Sequence, residues 1–223
     1  MGQPPRKITI LNPNATQRMT HEMVSAAQSA TGHLALVDGL TNIDGPASIQ
    51  GPQDGEDCLP GLFALFEQAQ SQGADAVIIG CFDDTGLTTL RRRNSLPVIG
   101  MGEAGCIAAS LASPAFSVVT TLEVSVPVIA DNIRRIGLWD RCIGVHASGV
   151  PVLELNDGPD STKRLQHTIN KALEADQDQS IVLGCSGMSL IAPDISTRGN
   201  GCIIDPVLAA LHMCLAVVSV KAR

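Results

Sequence analysis

Two of the seven cysteines follow nearly identical apolar runs. Residues 76–81 read Ala-Val-Ile-Ile-Gly-Cys, and residues 180–185 read Ser-Ile-Val-Leu-Gly-Cys. Each run is rich in β-branched residues and too short for a helix, which is typical of a buried parallel strand. Cys81 and Cys185 would therefore follow the carboxyl ends of two strands, the edge at which open α/β sheets bind ligands.

Two thiols on opposite walls of a cleft can invert a carbon centre. One, as a thiolate, takes a proton from a carbon acid, and the other, as a thiol, returns a proton to the opposite face without a cofactor. Beneath the N-terminus of a following helix, the pKa of each thiol would fall from about 8.5 to about 7–8. The carbanion also needs neutral hydrogen-bond donors at the adjacent carbonyl. Side chains of this type on the expected loops are Asn14, Thr120, Thr121 and Ser186.

Either cysteine alone is compatible with simple packing, because Cys is among the most buried residue types. The matched pair favours catalysis over packing. The alternative from another class is a non-catalytic small-molecule binding protein, whose thiols would react no faster than buried cysteines do. The other five cysteines have no such pairing and are interpreted as packing residues: Cys58, Cys106, Cys142, Cys202 and Cys214.

The segment 100–105 reads Gly-Met-Gly-Glu-Ala-Gly and matches the G-x-G-x-x-G pattern of dinucleotide-binding turns. Such a site needs a full crossover helix after the pattern. Here Pro114 should end the helix after about two turns. We therefore interpret these glycines as a tight strand-to-helix turn and expect no cofactor; a nucleotide-dependent oxidoreductase is the alternative that protection by NAD would reveal.

Strand and helix patterns alternate along the whole chain, which predicts parallel sheets joined by right-handed crossovers. The offset from Cys81 to Cys185 is 104 residues, and the offset from Asn12 to Thr120, each at a strand end, is 108. We therefore predict an α/β fold of two pseudo-symmetric domains, each a mostly parallel sheet of about four strands flanked by helices, with the active-site cleft between them. Residues 1–96 plus 205–223 would form the first domain and 97–204 the second.

The longest irregular stretch is expected at residues 41–57, which are rich in Gly, Pro and acidic residues. Such a segment is either an ordinary surface loop or a lid over the cleft, and the sequence favours neither interpretation.

Composition excludes several classes of function. The net charge is −7, and there are four Phe, one Trp and no Tyr, so a nucleic-acid surface is not expected. The most apolar segment, 207–220, is too short to span a membrane, and the N-terminus lacks the apolar core of a signal peptide. An odd number of cysteines without a C-x-x-C pair argues against disulfides and predicts a cytoplasmic protein. Histidines without ligand spacing predict no metal site: His21, His33, His146, His167 and His212.

Five short sequence motifs together resemble the hydantoin racemase branch of the aspartate/glutamate racemase superfamily. They occur in the same order as in that family and are spread over nearly the whole chain. They are Leu-Asn-Pro-Asn-Ala-Thr at 11–16, Gly-Cys-Phe-Asp-Asp-Thr-Gly at 80–86, Pro-Val-Ile-Gly-Met-Gly-Glu-Ala at 97–104, Phe-Ser-Val-Val-Thr-Thr at 116–121 and Gly-Cys-Ser-Gly-Met at 184–188.

The resemblance implies cofactor-independent racemisation at Cys81 and Cys185, on a 5-substituted hydantoin or the related ureido-hydantoin allantoin. It also brings Phe82, Gly187 and Met188, which follow the two thiols, into the expected substrate-binding set. We further expect a homo-oligomer with a small-molecule substrate.

The chain departs from the family where Thr85 stands in place of the usual Pro and Ser186 in place of Ala. It also lacks the Cys-Asn-Thr phrase of the amino-acid racemases. A cleft lined by Thr, Asn, Ser and Phe suits a neutral ring better than a dicarboxylate.

Overall fold

The computed structural model describes residues 5–32, 34–155, 158–197 and 199–220. Strands and α-helices alternate through these residues, as the sequence patterns predict. The strands are β1 (Arg6–Asn12), β2 (Ala35–Thr41), β3 (Ala76–Ile79), β4 (Val98–Gly100), β5 (Phe116–Thr120), β6 (Cys142–Ala147), β7 (Ser180–Leu183) and β8 (Ile203–Ile204). The α-helices are α1 (Gln17–Thr31), α2 (Pro52–Asp57), α3 (Leu59–Ser71), α4 (Leu87–Arg93), α5 (Met101–Ala112), α6 (Val126–Arg135), α7 (Pro159–Ala172) and α8 (Pro206–Val220).

The described strands form two four-stranded parallel sheets with the same topology. The strand orders are β2-β1-β3-β4 and β6-β5-β7-β8, so each half places its first strand between its second and third. This confirms the predicted α/β fold with two similar sheets flanked by helices. Strands β1 and β5 hold equivalent positions in the two sheets, and so do β3 and β7. These two equivalences explain the matching sequence offsets of 108 and 104 residues.

The domain boundaries stay a prediction, with one observation that bears on them. Val98 pairs with Val77, so β4 is the edge strand of the first sheet, whereas the proposed boundary assigned residues 97–100 to the second domain. Residues 1–4 and 221–223 of the proposed first domain lie outside the described residues.

The core is aliphatic and is shared by the two sheets. All four residues of β3 and all four of β7 are buried, as expected for strands covered on both faces. Helices α5 and α8 pack together between the sheets, and one cluster runs from Ile78 through Met101 and Leu211 to Val182. Burial of apolar surface stabilises such a core by about 25 cal/mol per Å². The common core therefore holds the carboxyl ends of both sheets in a defined relative position.

Two local expectations need correction. Residues 41–57 are not irregular throughout, because β2 extends to Thr41 and Pro52–Asp57 forms α2; the irregular part is residues 42–51. Helix α5 runs for 12 residues, longer than the two turns expected before Pro114.

No helix in the described ranges is long and apolar enough to cross a membrane.

Candidate active site

Both repeated cysteines line one small cavity at the carboxyl ends of β1, β3, β5 and β7. The cavity has a volume of about 30 Å³, enough for about one or two water molecules. Each half of the chain contributes one polar loop and one Gly-Cys loop to it. The lining residues are Asn14, Met19, Ile49, Gly80, Cys81, Phe82, Asp83, Thr120, Thr121, Ser125, Val152, Gly184, Cys185 and Ser186.

The structure brings together most of the residues that the sequence singled out. Beside the two cysteines, the cavity lining includes Asn14, Phe82, Thr120, Thr121 and Ser186.

Two expected substrate-binding residues, Gly187 and Met188, do not line the cavity. Met188 is fully buried and packs with Val119 and Leu155 in the core beneath the second sheet. Gly187 lies against the cavity wall and contributes a backbone N–H, which hydrogen-bonds to the Cys185 thiol.

Gly80 and Gly184, which precede the two thiols, let atoms of neighbouring elements approach the backbone closely and do not lie in turns. Neither Gly80 nor Gly184 has a φ in the left-handed region, and their N–H groups continue the ladders by donating to Leu11 O and Val119 O, each at 2.8 Å. A Cβ on Gly184 would lie 2.9 Å from the Cα of Thr120. The neighbouring strand thus leaves no room for a side chain at the residue preceding the thiol.

The expectation that each thiol lies beneath a helix N-terminus is wrong. Helix α4 begins only at Leu87, well after Cys81, and a single 3₁₀ turn, Ser186–Met188, follows Cys185. Neither thiol therefore has the helix dipole that was expected to lower its pKa.

The pKa of both thiols is raised, which also corrects the expected pKa of about 7–8. Burial raises the pKa of Cys81 well above its usual range, and the carboxylate of Asp83 raises it further. Burial likewise raises the pKa of Cys185 to about 12. One hydrogen bond at each thiol lowers its pKa and so offsets part of this increase. Cys81 accepts the backbone N–H of Asp83, and Cys185 accepts the backbone N–H of Gly187. The two halves thus repeat one arrangement, a thiol bonded to the N–H group two residues ahead.

Asp84 explains why the glycine-rich turn at 100–105 is not a nucleotide site. Its carboxyl group accepts the backbone N–H groups of Gly102 at 2.8 Å and Glu103 at 2.7 Å, so an acceptor from the protein itself occupies the N-terminus of α5, where a nucleotide phosphate would otherwise bind. A Cβ on Gly102 would lie 2.1 Å from the carbonyl oxygen of Phe82. The glycines therefore serve close packing against the Cys81 loop, and the predicted tight strand-to-helix turn between β4 and α5 is confirmed.

Besides the two cysteines, the ionisable side chain in the cavity lining is that of Asp83, and sequence reasoning did not assign it to the site. Its side chain is buried, and the carboxylate has no hydrogen-bond partner among the described residues. Burial raises the pKa of this carboxyl to about 7. The available signal was its position two residues after Cys81, in the loop at the carboxyl end of a strand, which is where open α/β sheets bind ligands.

The irregular segment 42–51 closes one side of the cavity. Ile49 belongs to the lining and is 7% exposed, and the Gln50 side chain accepts the backbone N–H of Val152 at 3.2 Å. Ala15 and Thr16 tie the same segment to the loop after β1 by bonds to Pro46 O and Ala47 O. A segment from the first half therefore contacts the second half directly across the site. Whether it acts as a lid stays a prediction.

A second, larger cavity adjoins the first at Asp83. Its volume is about 330 Å³, and it lies between α2, the loop 83–86 and α6, with Glu56, Thr88 and Arg135 in its walls. Asn132 donates from α6 to the carbonyl oxygen of Asp83 at 2.7 Å, which holds the backbone between the two cavities. Across the described ranges, no three His, Cys, Asp or Glu side chains are grouped so that they could hold a metal ion.

Comparison with known proteins places this architecture among racemases. A family model described as Asp/Glu/Hydantoin racemase matches residues 8–214. The chain is 37% identical over 212 residues to a hydantoin racemase of Rhizobium meliloti, covering 95% of this chain and 88% of the relative.

Two solved structures show the same fold. The allantoin racemase from Klebsiella pneumoniae superposes with a TM-score of 0.89 at 29% identity, over 96% of this chain and 88% of that one. The allantoin racemase from Pseudomonas fluorescens superposes with a TM-score of 0.87 at 30% identity, over 96% and 91%.

Proposed function

Because the chain belongs to the Asp/Glu/hydantoin racemase family and is thus a racemase, we propose that it inverts C5 of a 5-substituted hydantoin without a cofactor. The observation that carries this proposal is the position of Cys81 and Cys185. The two thiols follow equivalent strands of two similar sheets and line the same cavity.

In the proposed reaction, one cysteine as thiolate removes the C5 proton and becomes a thiol. The electron pair left on C5 is delocalised into the adjacent ring carbonyl, whose oxygen needs hydrogen-bond donors. The hydroxyls of Thr121 and Ser186 line the cavity and make no hydrogen bond within the described part of the chain, so they are free to donate. The other thiol then delivers its proton to the opposite face of C5 and becomes the thiolate. Turnover in the reverse direction restores the starting protonation states.

The raised thiol pKa values are compatible with this role. A high pKa makes the thiolate rarer at neutral pH, but it also makes each thiolate a stronger base toward a carbon-bound proton. The backbone N–H groups of Asp83 and Gly187 offset part of the cost of forming the charge.

A cavity of about 30 Å³ cannot hold a substituted five-membered ring. The site must therefore widen to admit substrate, and the segment 42–51, which crosses it, is the element that we propose to move as a lid.

Allantoin, a hydantoin with a ureido group at C5, is the second candidate substrate. The specific observation in its favour is the structural similarity to two allantoin racemases. A free dicarboxylic amino acid fits less well, because no Lys or Arg is among the residues that line the cavity in the described structure.

The decisive experiment follows one enantiomer of 5-benzylhydantoin, and separately of allantoin, in D₂O. We expect loss of optical rotation with deuterium appearing at C5, and the substrate that reacts with the higher kcat/KM identifies the side chain preferred. Cys81→Ser and Cys185→Ser should each lower racemisation by about 10³-fold or more. Cys202→Ser is the matched control, because this exposed thiol lies outside the cavity and its loss should leave the rate unchanged.

Full racemisation by either cavity variant would contradict the two-thiol mechanism. Ligand-induced thermal stabilisation without any exchange at C5 would instead support a non-catalytic binding protein.

We also propose that the chain assembles as a homo-oligomer in the cytoplasm. Leu34 and Leu36 are 59% and 61% exposed beside and on the edge strand β2, which is the kind of apolar surface that a second copy covers. All seven cysteines lie in the described residues and are free thiols, as a reducing compartment requires. Light scattering coupled to gel filtration measures the assembly, and a monomer at micromolar concentration would contradict it.

A further inference from the structure

Asp83 places a carboxyl group in the cavity that makes no contact needed for the fold. Its side chain is 8% exposed and lines the cavity together with both thiols. Its backbone, in contrast, is held firmly: the N–H hydrogen-bonds to Cys81, and the carbonyl oxygen accepts Asn132 Nδ2 at 2.7 Å. The carboxylate is thus presented to the cavity at a defined position.

A buried carboxylate without donors is unfavourable, and proteins retain such groups chiefly where a ligand supplies the missing donors. The neighbouring carboxylate shows the contrast. Asp84 is similarly buried, but both of its carboxyl oxygens accept backbone N–H groups and cap the N-terminus of α5. Of these two adjacent acids, only Asp83 is left for a ligand.

The other residues that line the cavity limit which functional groups the ligand can carry. Beyond the thiols and Asp83, the polar lining residues are neutral amides and hydroxyls, and the remainder are apolar or glycine. A ligand with ring carbonyls meets the hydroxyls as donors, and a ligand with ring N–H groups meets Asp83 as acceptor. A ligand carboxylate would meet Asp83 as a like charge, which is unfavourable in a desolvated site.

We propose that the Asp83 carboxylate accepts a hydrogen bond from a ring N–H of the substrate and thereby selects neutral cyclic ureides over anionic amino acids. This inference rests on the proposed racemisation and assigns Asp83 as a substrate-binding, specificity-determining residue. Above its pKa of about 7, the Asp83 carboxyl is a charged acceptor, and a hydrogen bond to an ionised group is roughly twice as strong as a neutral one.

The test is a double-mutant cycle in which one change is the substitution Asp83→Ala and the other is methylation of a ring nitrogen of the substrate. Exchange of the C5 proton in D₂O is measured for 5-benzylhydantoin and for its 1-methyl and 3-methyl derivatives, with wild type and Asp83→Ala. In wild type, methylation of the contacted nitrogen should lower kcat/KM by about 10- to 100-fold, the range for losing a hydrogen bond to a charged group. In Asp83→Ala, the unmethylated substrate should lose a similar factor, mainly through KM, and the penalty for methylating that nitrogen should shrink to about 2-fold or less.

Two controls separate recognition from folding. Asp83→Ala should unfold at the same or a higher temperature than wild type, because the carboxylate has no partner to lose among the described residues. Glu56→Gln changes an exposed acid in the wall of the larger cavity and should leave both methylation penalties at their wild-type values.

The outcomes also distinguish this inference from the proposed function. If wild type exchanges the C5 proton but tolerates methylation at both nitrogens, or if Asp83→Ala keeps the full penalty, Asp83 is not the N–H acceptor while the racemase proposal stands. If wild type exchanges no proton at C5 of any hydantoin, the proposed function fails and this inference fails with it.

Discussion

The carboxylate of Asp84 accepts the backbone N–H of Gly102 at 2.8 Å, and so joins the loop after Cys81 to the first turn of α5. Asp84 adopts a left-handed backbone with φ of 50°, an uncommon conformation for a residue other than glycine. Glu103, in the same helical turn, forms an ion pair with Arg91 of α4. These contacts hold the loop after Cys81 against the helix that packs between the two sheets.

Replacing Asp84 by Ala should therefore destabilise the protein. Two buried N–H groups at the start of α5 would lose their acceptor, at a cost of about 2–4 kcal/mol in the free energy of unfolding. Urea denaturation monitored by circular dichroism measures this change. The neighbouring Asp83→Ala is the matched control, since it removes a carboxylate of the same type without a lost bond. Equal destabilisation by the two variants would contradict the distinction between a capping acid and a ligand-binding acid.

The stability of the folded chain should depend on pH through the same two acids. Burial raises the pKa of Asp83 to about 7 and that of Asp84 to about 8, whereas unfolded aspartate titrates near about 3.9. Between these values the folded state binds more protons than the unfolded state. Their contribution to stability is therefore full below about pH 4 and is lost as the pH rises toward about 8.

Asp83→Asn isolates one of these contributions. Relative to wild type, this variant should gain stability as the pH increases from 5 to 8.5, by on the order of 1–4 kcal/mol across the window. Thermal unfolding of both proteins at a series of pH values provides the measurement. A difference between wild type and variant that stays constant with pH would mean that Asp83 is already ionised in the folded protein at pH 5.

The two glycines that precede the thiols should differ in their tolerance of a side chain. At Gly184 an added Cβ would lie 2.9 Å from both the Cα of Thr120 and the carbonyl oxygen of Val119, which belong to a neighbouring strand and cannot move alone. At Gly80 the closest atoms belong to the Met23 side chain, also at 2.9 Å, which can change rotamer. Gly184→Ala should therefore cost about 3 kcal/mol or more, and Gly80→Ala clearly less. Chemical denaturation of both variants compares them, and an equal cost would show that Met23 cannot adjust.

The contact between Gln50 and Val152 should control access to the thiols. The cavity of about 30 Å³ leaves little room for iodoacetamide beside Cys81 and Cys185, so alkylation of either thiol should quicken when the segment 42–51 moves away. Gln50→Ala removes the hydrogen bond at 3.2 Å to the second half, so alkylation should be several-fold faster. Mass spectrometry of modified peptides over time measures the two rates separately. Gln53→Ala is the control on α2, where the side chain bonds only to Asp57 within the described residues; equal rates in both variants would exclude gating by Gln50.

The sequence by itself determined the architecture and the pair of thiols. Short β-branched runs alternate with helical patterns, and the Gly-Cys phrase recurs at nearly the same offset as the two polar strand ends. Because parallel strands of one topology place their carboxyl ends at one edge, these local signals predict both sheets and the loops that meet between them. The predicted strand β3 and its equivalent β7 were found over the expected residues.

Only the tertiary structure decided how each of these residues is used. Spacing along the chain does not report how closely a neighbouring strand approaches, so only the folded chain shows that Thr120 leaves no room for a side chain at Gly184. Nor does it report which donors reach a carboxylate: Asp83 and Asp84 are adjacent in sequence, yet one faces the cavity and the other caps a helix 18 residues further on. The thiol pKa values followed the same rule, because they depend on burial and on neighbours from other elements, and these exist only once the two halves are packed together.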